Sequence, residues 1–147
     1  MPKIVKKILD QIVMHAQSES PNECCGLLAG TADVITEIYQ ISNLPSDDPR
    51  VEDLHIPGDR TLRYLMDPKE QFLAQRKMQD DHLTFMGIYH SHTHSPAYPS
   101  ATDVRLAFYP DLLYLIVSLE ETMPHVAAFS IVDQEIKEEE MIVERSH

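Results

Sequence analysis

The chain has 147 residues, 43% of them hydrophobic and 24% charged, with a formal net charge of -12 from 12 basic and 24 acidic side chains. That length suits one domain with a real core, residues 1–147 reading as a single unit, and the composition is globular rather than disordered or fibrous. The acidic balance argues against a nucleic-acid partner, which needs a basic face to displace phosphate counterions, and no run approaches the roughly 18 apolar residues of a membrane span.

The opening MPKIVKKILDQIVMHAQSE mixes lysines with apolar residues but carries Asp10 and no small-residue cleavage site, so it reads as an amphipathic helix rather than a signal peptide. Ile4, Ile8, Ile12 and Val13, with Val5 and Leu9 alongside, predict that helix over roughly residues 3 to 17. SPNE ends it. CCGLLAG then reads as a short buried strand and DVITEIYQI as a second, joined through GTA. The only two cysteines, Cys24 and Cys25, are adjacent and would point to opposite faces of a strand, so they neither chelate one metal nor close a loop. They read as small buried residues in a reducing, cytoplasmic compartment, and no local signature makes either a nucleophile.

Residues 43 to 60, NLPSDDPRVEDLHIPGDR, are rich in proline and acid, lack a period, and predict a long surface loop of the kind that often carries function. Asp67-Pro68 is a helix N-cap followed by proline at the first helical position. The helix runs through KEQFLAQRKMQ with Phe72, Leu73 and Met78 as candidate core residues. LTFMGIYHSH reads as a strand, Ser100 to Phe108 as a helix, and LLYLIVSLE as a buried strand. HVAAFSIVD and EEEMIVE read as closing strands, paired as a hairpin through DQEI, and EIKEEE as a solvated charged face. The order α-β-β-loop-α-β-α-β-β-β predicts a mixed α/β domain with helices packed on a sheet.

Three of the eight histidines, His90, His92 and His94, fall in GIYHSHTHSPAYPSATD, at spacings that put all three on one face of a strand. Pro96 and Pro99 bracket a turn-like stretch in which the extended pattern lapses near Thr93 or His94, and Asp103 follows on the first turn of the next helix. Two donor sets remain open on these residues. One is a three-histidine site; the other joins His90 and His92 to Asp103, leaving an open position for water in a hydrolytic arrangement. Against both stands the plain alternative of exposed histidines on a strand edge. Ser100 and Asp103 also fit a capping box in kind, with aspartate at N3, and a capping serine can still present its hydroxyl to a neighbour. A nucleophilic Ser100 lacks a Gly-x-Ser-x-Gly setting.

HSHTHSPAYPSATD resembles the His-x-His-x7-Ser-x2-Asp signature of the JAMM, or MPN-plus, metallopeptidases, and SPNECCGLLAG resembles the segment in which that family carries an upstream glutamate. The likeness extends through AYPSATDVRLAFYPDLLYLIVSL and FSIVD to nearly the whole chain, nearest to the small bacterial Mec-type branch that acts on sulfur-carrier proteins. The resemblance implies a mixed curved sheet flanked by helices, of the MPN (cytidine-deaminase-like) type. It implies one zinc ion per chain held by His90, His92 and Asp103 with a catalytic water, Glu23 as proton acceptor and shuttle, and Ser100 as donor to the oxyanion. The expected substrate is a ubiquitin-like or sulfur-carrier protein whose Gly-Gly tail, laid along a strand edge, carries an amino acid or extra residues; a homodimer is left open. Within it, release of cysteine made on a carrier is the specific expectation, with trimming of a carrier precursor or a silent MPN scaffold as alternatives, and the intact residue set speaks against the scaffold. Thr93 stands where many members have proline, which favours the Mec-like branch. His94 lies outside the signature, and the 43–60 loop is the candidate clamp over the tail.

Overall fold

The computed structural model describes residues 1–145, and in it the N-terminal apolar stripe divides between two elements. Lys3–Val5 forms a short strand, β1, and helix α1 spans Lys6–Glu19. Ile4 therefore enters the core from a strand, while Ile8, Ile12 and Ala16 enter it from the helix. This corrects the expected helix start at residue 3. β1 is extended because remote residues pair with it in parallel on both sides, Val34 and Ile35 on one and Ile142 to Glu144 on the other. A local period cannot register such partners.

β2 (Cys25–Thr31) and β3 (Val34–Ile41) form the expected hairpin, turning at Ala32 and Asp33, whose positive φ values of 51° and 64° suit a tight two-residue turn. The segment expected as a bare loop contains a short helix, α2 (Pro49–Glu52), capped by Asp48, and its Leu44 and Val51 pack with Leu65 in a small cluster of their own. Helix α3 (Pro68–Asp80) begins where the sequence predicts, with the Asp67 carboxylate accepting the N–H groups of Lys69 and Glu70.

The inward face of α3 differs from the expected one. Phe72 and Leu73 are 54% and 52% exposed, whereas Met78 is 1% exposed and Ala74 packs beside it. Positions 71, 74, 75 and 78 share the stripe that meets the sheet, and 72 and 73 fall on the other side. Met78→Ala should therefore cost about 2–5 kcal/mol. Phe72→Ser should stay within about 0.5 kcal/mol of the parent, both differences being read from urea titrations.

β4 (Thr84–His92) and β5 (Leu113–Ser118) are parallel neighbours, joined by a crossover containing helix α4 (Ala101–Arg105), shorter than the expected 100–108. β6 (His125–Val132) and β7 (Glu135–Glu139) form a hairpin turning at Asp133 and Gln134. The closing strand expected over EEEMIVE is split. β7 ends at Glu139, and β8 (Ile142–Glu144) lies beside β1.

The resulting eight-stranded order is β7-β6-β5-β4-β2-β3-β1-β8. Its two terminal strands are separated by only two residues of chain, which reach about 10 Å, so the sheet must curl until its edges nearly meet. One face packs on α1 through Ile8, Ile12, Leu28, Tyr89 and Leu115; the other packs on α3 and α4 through Leu27, Ile88, Met78 and Val104. Cys24 and Cys25 belong to opposite faces, as their adjacency predicts. Among the described residues no helix is long and apolar enough to cross a membrane.

Candidate metal centre

β4 lies in the middle of the sheet, with β2 and β5 occupying both of its edges, and carries His90 and His92 at its C-terminal end. Alternation places both rings on the α3 side, 1% and 2% exposed. The chain leaves β4 through a turn and re-enters at α4, where Ser100 is the N-cap. Its hydroxyl accepts the Asp103 N–H at 3.0 Å, and Asp103 Oδ2 accepts the Ser100 N–H at 2.9 Å. This capping box, predicted from residue types alone, fixes the carboxylate where the histidines arrive.

Three atoms meet there. His90 Nε2 lies 3.2 Å from His92 Nε2, and Asp103 Oδ2 lies 3.1 Å from the former and 2.9 Å from the latter. His92 Nδ1 contacts the Pro96 carbonyl at 2.8 Å, and that oxygen can only accept, so Nδ1 carries the ring proton. In the neutral ring the Nε2 lone pair then faces the Asp103 oxygen, an arrangement that needs a cation among the three atoms, either a proton or a metal ion. The triangle is near the size a metal needs: two ligand atoms at about 2.0–2.1 Å from a tetrahedral zinc are separated by about 3.3–3.4 Å, so the three atoms would part slightly to admit the ion. Burial opposes charge on both partners, yet the two imidazoles hold the Asp103 carboxyl well below the usual carboxylate range, and Asp103 raises the pKa of His92 against its own burial.

Glu23 comes from the turn between α1 and β2, and one donor atom of each of Glu23, His90 and His92 lies within 4.8 Å of the others. The side chain is 4% exposed, and its Oε1 has no hydrogen-bond partner among the described residues, nor has His90 Nδ1. A buried carboxylate oxygen without a partner is costly unless it serves a ligand or a proton. Burial pushes the Glu23 carboxyl from its ordinary 4.5 up to about 8; His92 and Asp103 act on it in opposite senses. The folded chain thus favours the protonated acid more than the unfolded chain does. In the metal-free protein this contribution is complete below about pH 4.5 and lost as pH rises towards about 8. Glu23→Gln should flatten that part of the Tm–pH curve, as thermal melts in chelator would register.

Several supporting residues are invisible in the motif. Tyr64 stacks on His90 with ring centroids 4.3 Å apart. The Asn43 amide donates to the carbonyls of Glu23 (3.0 Å) and Arg63 (2.9 Å) while its oxygen accepts from Leu65 N–H, so one side chain ties three backbone segments together. Arg63 is 1% exposed and donates to Asn43 Oδ1 and the Leu44 carbonyl. The Thr93 hydroxyl donates to the Pro21 carbonyl at 3.2 Å and so binds the end of the histidine strand to the turn that carries Glu23. Behind the site, Tyr89 OH meets His15 Nδ1 at 2.8 Å, a reach that depends on Gly26, because a Cβ there would enter the Tyr89 ring.

His94 is exposed and stands apart from the cluster of Glu23, His90 and His92. Burial pushes the Cys24 thiol up to about 12 and raises Cys25 as well, so neither is a thiolate near neutral pH. On the Glu23 side lies a polar cleft of about 290 Å³ bordered by Glu19, Glu23, Asn43, Arg60 and Glu70. On the Tyr64 side lies an apolar groove of about 310 Å³ bordered by Leu44, Leu54, Tyr64, Leu106 and Phe108.

A family model described as prokaryotic homologs of the JAB domain matches residues 5–132. The CysO-cysteine peptidase of Mycobacterium tuberculosis is 36% identical over 137 residues, which are 90% of this chain and 84% of that one. A desampylase of Haloferax volcanii is 33% identical over 120 residues, 78% of each chain. A solution structure of a protein from Desulfitobacterium hafniense superposes with a TM-score of 0.82 at 36% identity, covering 99% of this chain and 94% of that one.

Proposed function

The chain belongs to the prokaryotic JAB-domain family, and from that membership we propose that it is a zinc-dependent peptidase or isopeptidase. It hydrolyses the bond after the Gly-Gly tail of a ubiquitin-like or sulfur-carrier protein. The observation that carries this reading is the convergence of His90 Nε2, His92 Nε2 and Asp103 Oδ2 beside a buried, unpartnered Glu23 oxygen. A mycobacterial relative is named for cleaving a CysO-cysteine bond, which supports a carrier protein as the substrate and a single amino acid as one leaving group.

His90, His92 and Asp103 would hold one zinc ion per chain. When bound, zinc polarises the scissile carbonyl and lowers the pKa of a water to about 7. Glu23 would accept the proton of the attacking water and return it to the leaving amine; its burial keeps a carboxyl with a raised pKa suited to both halves of the transfer. Ser100 uses one lone pair on the Asp103 N–H, which leaves its own O–H free to donate to the developing oxyanion, a role worth about 3–4 kcal/mol of barrier. The His92–Pro96 contact keeps the His92 Nε2 lone pair aimed at the site.

The expected strand-edge docking of the tail cannot use β4 itself, because β2 and β5 occupy both of its edges. The extended tail lies instead over the end of β4 on the Tyr64 side, in the apolar groove under residues 43–66, with that segment as its clamp. Glycines at the scissile bond permit close approach of the backbone. Incubation with carrier proteins that bear C-terminal extensions, followed by mass spectrometry, should show loss of the extension. No mass change with any Gly-Gly carrier, at full zinc occupancy, would overturn the reading. Shedding of single amino acids rather than longer extensions would separate amino-acid release from precursor trimming.

A further inference from the structure

The polar cleft of about 290 Å³ borders Glu23 but not His90, His92 or Asp103, so it lies on one side of the reacting centre only. A residue that hands a proton to the leaving nitrogen must face that nitrogen. The cleft that Glu23 lines is therefore the place for the leaving group, and it shares no lining residue with the groove assigned to the tail. The cleft's volume lies just below the roughly 300–1,000 Å³ of sites for drug-sized ligands, which suits one small residue rather than a folded segment.

The charges on its walls are uneven. Glu19, Glu23 and Glu70 contribute carboxylates, and Arg60 contributes the only guanidinium that borders the cleft among the described residues. Glu70 is engaged, since its Oε1 accepts the Ser42 N–H at 2.9 Å. Arg60 is not: its side chain is exposed, and among the described residues no carboxylate pairs with it. The adjacent Asp59 is committed elsewhere, accepting the N–H and hydroxyl of Thr61. Its backbone nevertheless holds Arg60 in place, because the Arg60 carbonyl accepts the Glu23 N–H at 2.7 Å. The proton-transferring carboxylate and an unpaired cation are thus joined through one main-chain hydrogen bond.

We propose that Arg60 is a specificity residue whose guanidinium binds the α-carboxylate of a single C-terminal amino acid, so that such a residue is released in preference to a lysine joined through its side chain. This deepens the peptidase reading and rests on it. Hydrolysis breaks the C–N bond, water supplies the oxygen to the glycyl carboxylate, and the departing nitrogen gains its proton from Glu23. The product is an amino-acid zwitterion. Its ammonium lies among the acidic walls, and its carboxylate is matched by a planar fork with bidentate geometry. A lysine leaving through its ε-nitrogen brings no carboxylate to that distance from the scissile bond.

The test uses three carrier substrates of identical sequence: one ending Gly-Gly-Cys with a free carboxylate, one with the same cysteine as its carboxamide, and one joined to the ε-nitrogen of a lysine peptide. The zinc-loaded parent should cleave the free acid at least tenfold better in kcat/KM than the carboxamide or the isopeptide. Arg60→Gln should bring the acid down to the level of the carboxamide while leaving the carboxamide unchanged, and Arg60→Lys should restore part of the preference. Binding supplies a second readout. In the Glu23→Gln background, fluorescence anisotropy should show the free acid binding about tenfold more tightly than the carboxamide, with the difference gone in Glu23→Gln/Arg60→Gln. Equal cleavage and equal binding of acid and carboxamide by proteins with Arg60 intact would overturn the proposal, as would an equal loss on both substrates in Arg60→Gln. If the parent cleaves none of the three, the peptidase reading fails, and the binding comparison still decides whether Arg60 receives a carboxylate.

Discussion

Glu23→Gln is expected to keep its zinc and lose its turnover. The substitution is nearly isosteric and leaves His90, His92 and Asp103 untouched, so metal analysis should still find about one ion per chain. What would disappear, on the proposed mechanism, is the group that takes a proton and returns it. General acid–base catalysis contributes about 10²–10⁴-fold, and kcat should fall by at least that much, with a far smaller change in KM. The folded protein should not suffer. Burial already pushes the Glu23 carboxyl up to about 8, so exchanging it for a neutral amide removes a buried group that resists ionising. The combination of intact metal, intact fold and absent turnover is specific to a proton shuttle; a ligand would take the metal with it, and a packing residue would take stability. Turnover within a few-fold of the parent would remove Glu23 from the proton path.

The parts of the site legible in sequence are those held by short-range geometry. Alternation alone puts His90 and His92 on one face, and a serine three residues before Asp103 predicts the capping box that orients its carboxylate. Asp67-Pro68 likewise locates the start of α3. Illegible were the features set by partners far along the chain. β1 follows a pattern that also fits a helix, and only pairing with β3 and β8 settles it as a strand. EEEMIVE reads as one strand, yet the curl of the sheet brings its two edges so close that two residues carry the chain from one edge to the other. Phe72 and Leu73 are apolar but lie on the solvent side of α3, because Ala74 and Met78 fit the sheet there. Asn43, Arg63 and Tyr64 support the site through hydrogen bonds and ring stacking across 20 residues or more, which leave no period to read. Arg60 belongs with them: one arginine in an acidic loop signals nothing until its carbonyl is found on the Glu23 N–H.

Asp103 and His94 separate the two donor sets that the sequence left open. Asp103 Oδ2 touches His90 Nε2, His92 Nε2 and the Ser100 N–H together, so Asp103→Ala removes one corner of the triangle and one half of the capping box. The Ser100 hydroxyl still caps the helix, so the lost half of the box costs at most about 1 kcal/mol. Asp103→Asn isolates the charge, since an amide oxygen can still accept from Ser100 but is a neutral and poorer ligand. Zinc content measured after dialysis should drop from about one per chain to near zero in Asp103→Ala and should be sharply reduced in Asp103→Asn. His94→Ala, altering an exposed side chain outside the cluster, should keep both metal and turnover. The same contrast should appear in stability. A metal present at about 1,000 times its Kd stabilises the folded state by about 4 kcal/mol, so the parent and His94→Ala should gain Tm on zinc addition. Asp103→Ala should melt at the same temperature with zinc or with chelator. Retention of the zinc-dependent Tm gain in Asp103→Ala together with its loss in His94→Ala would place the ion on three histidines, and Asp103 would then be a helix cap alone.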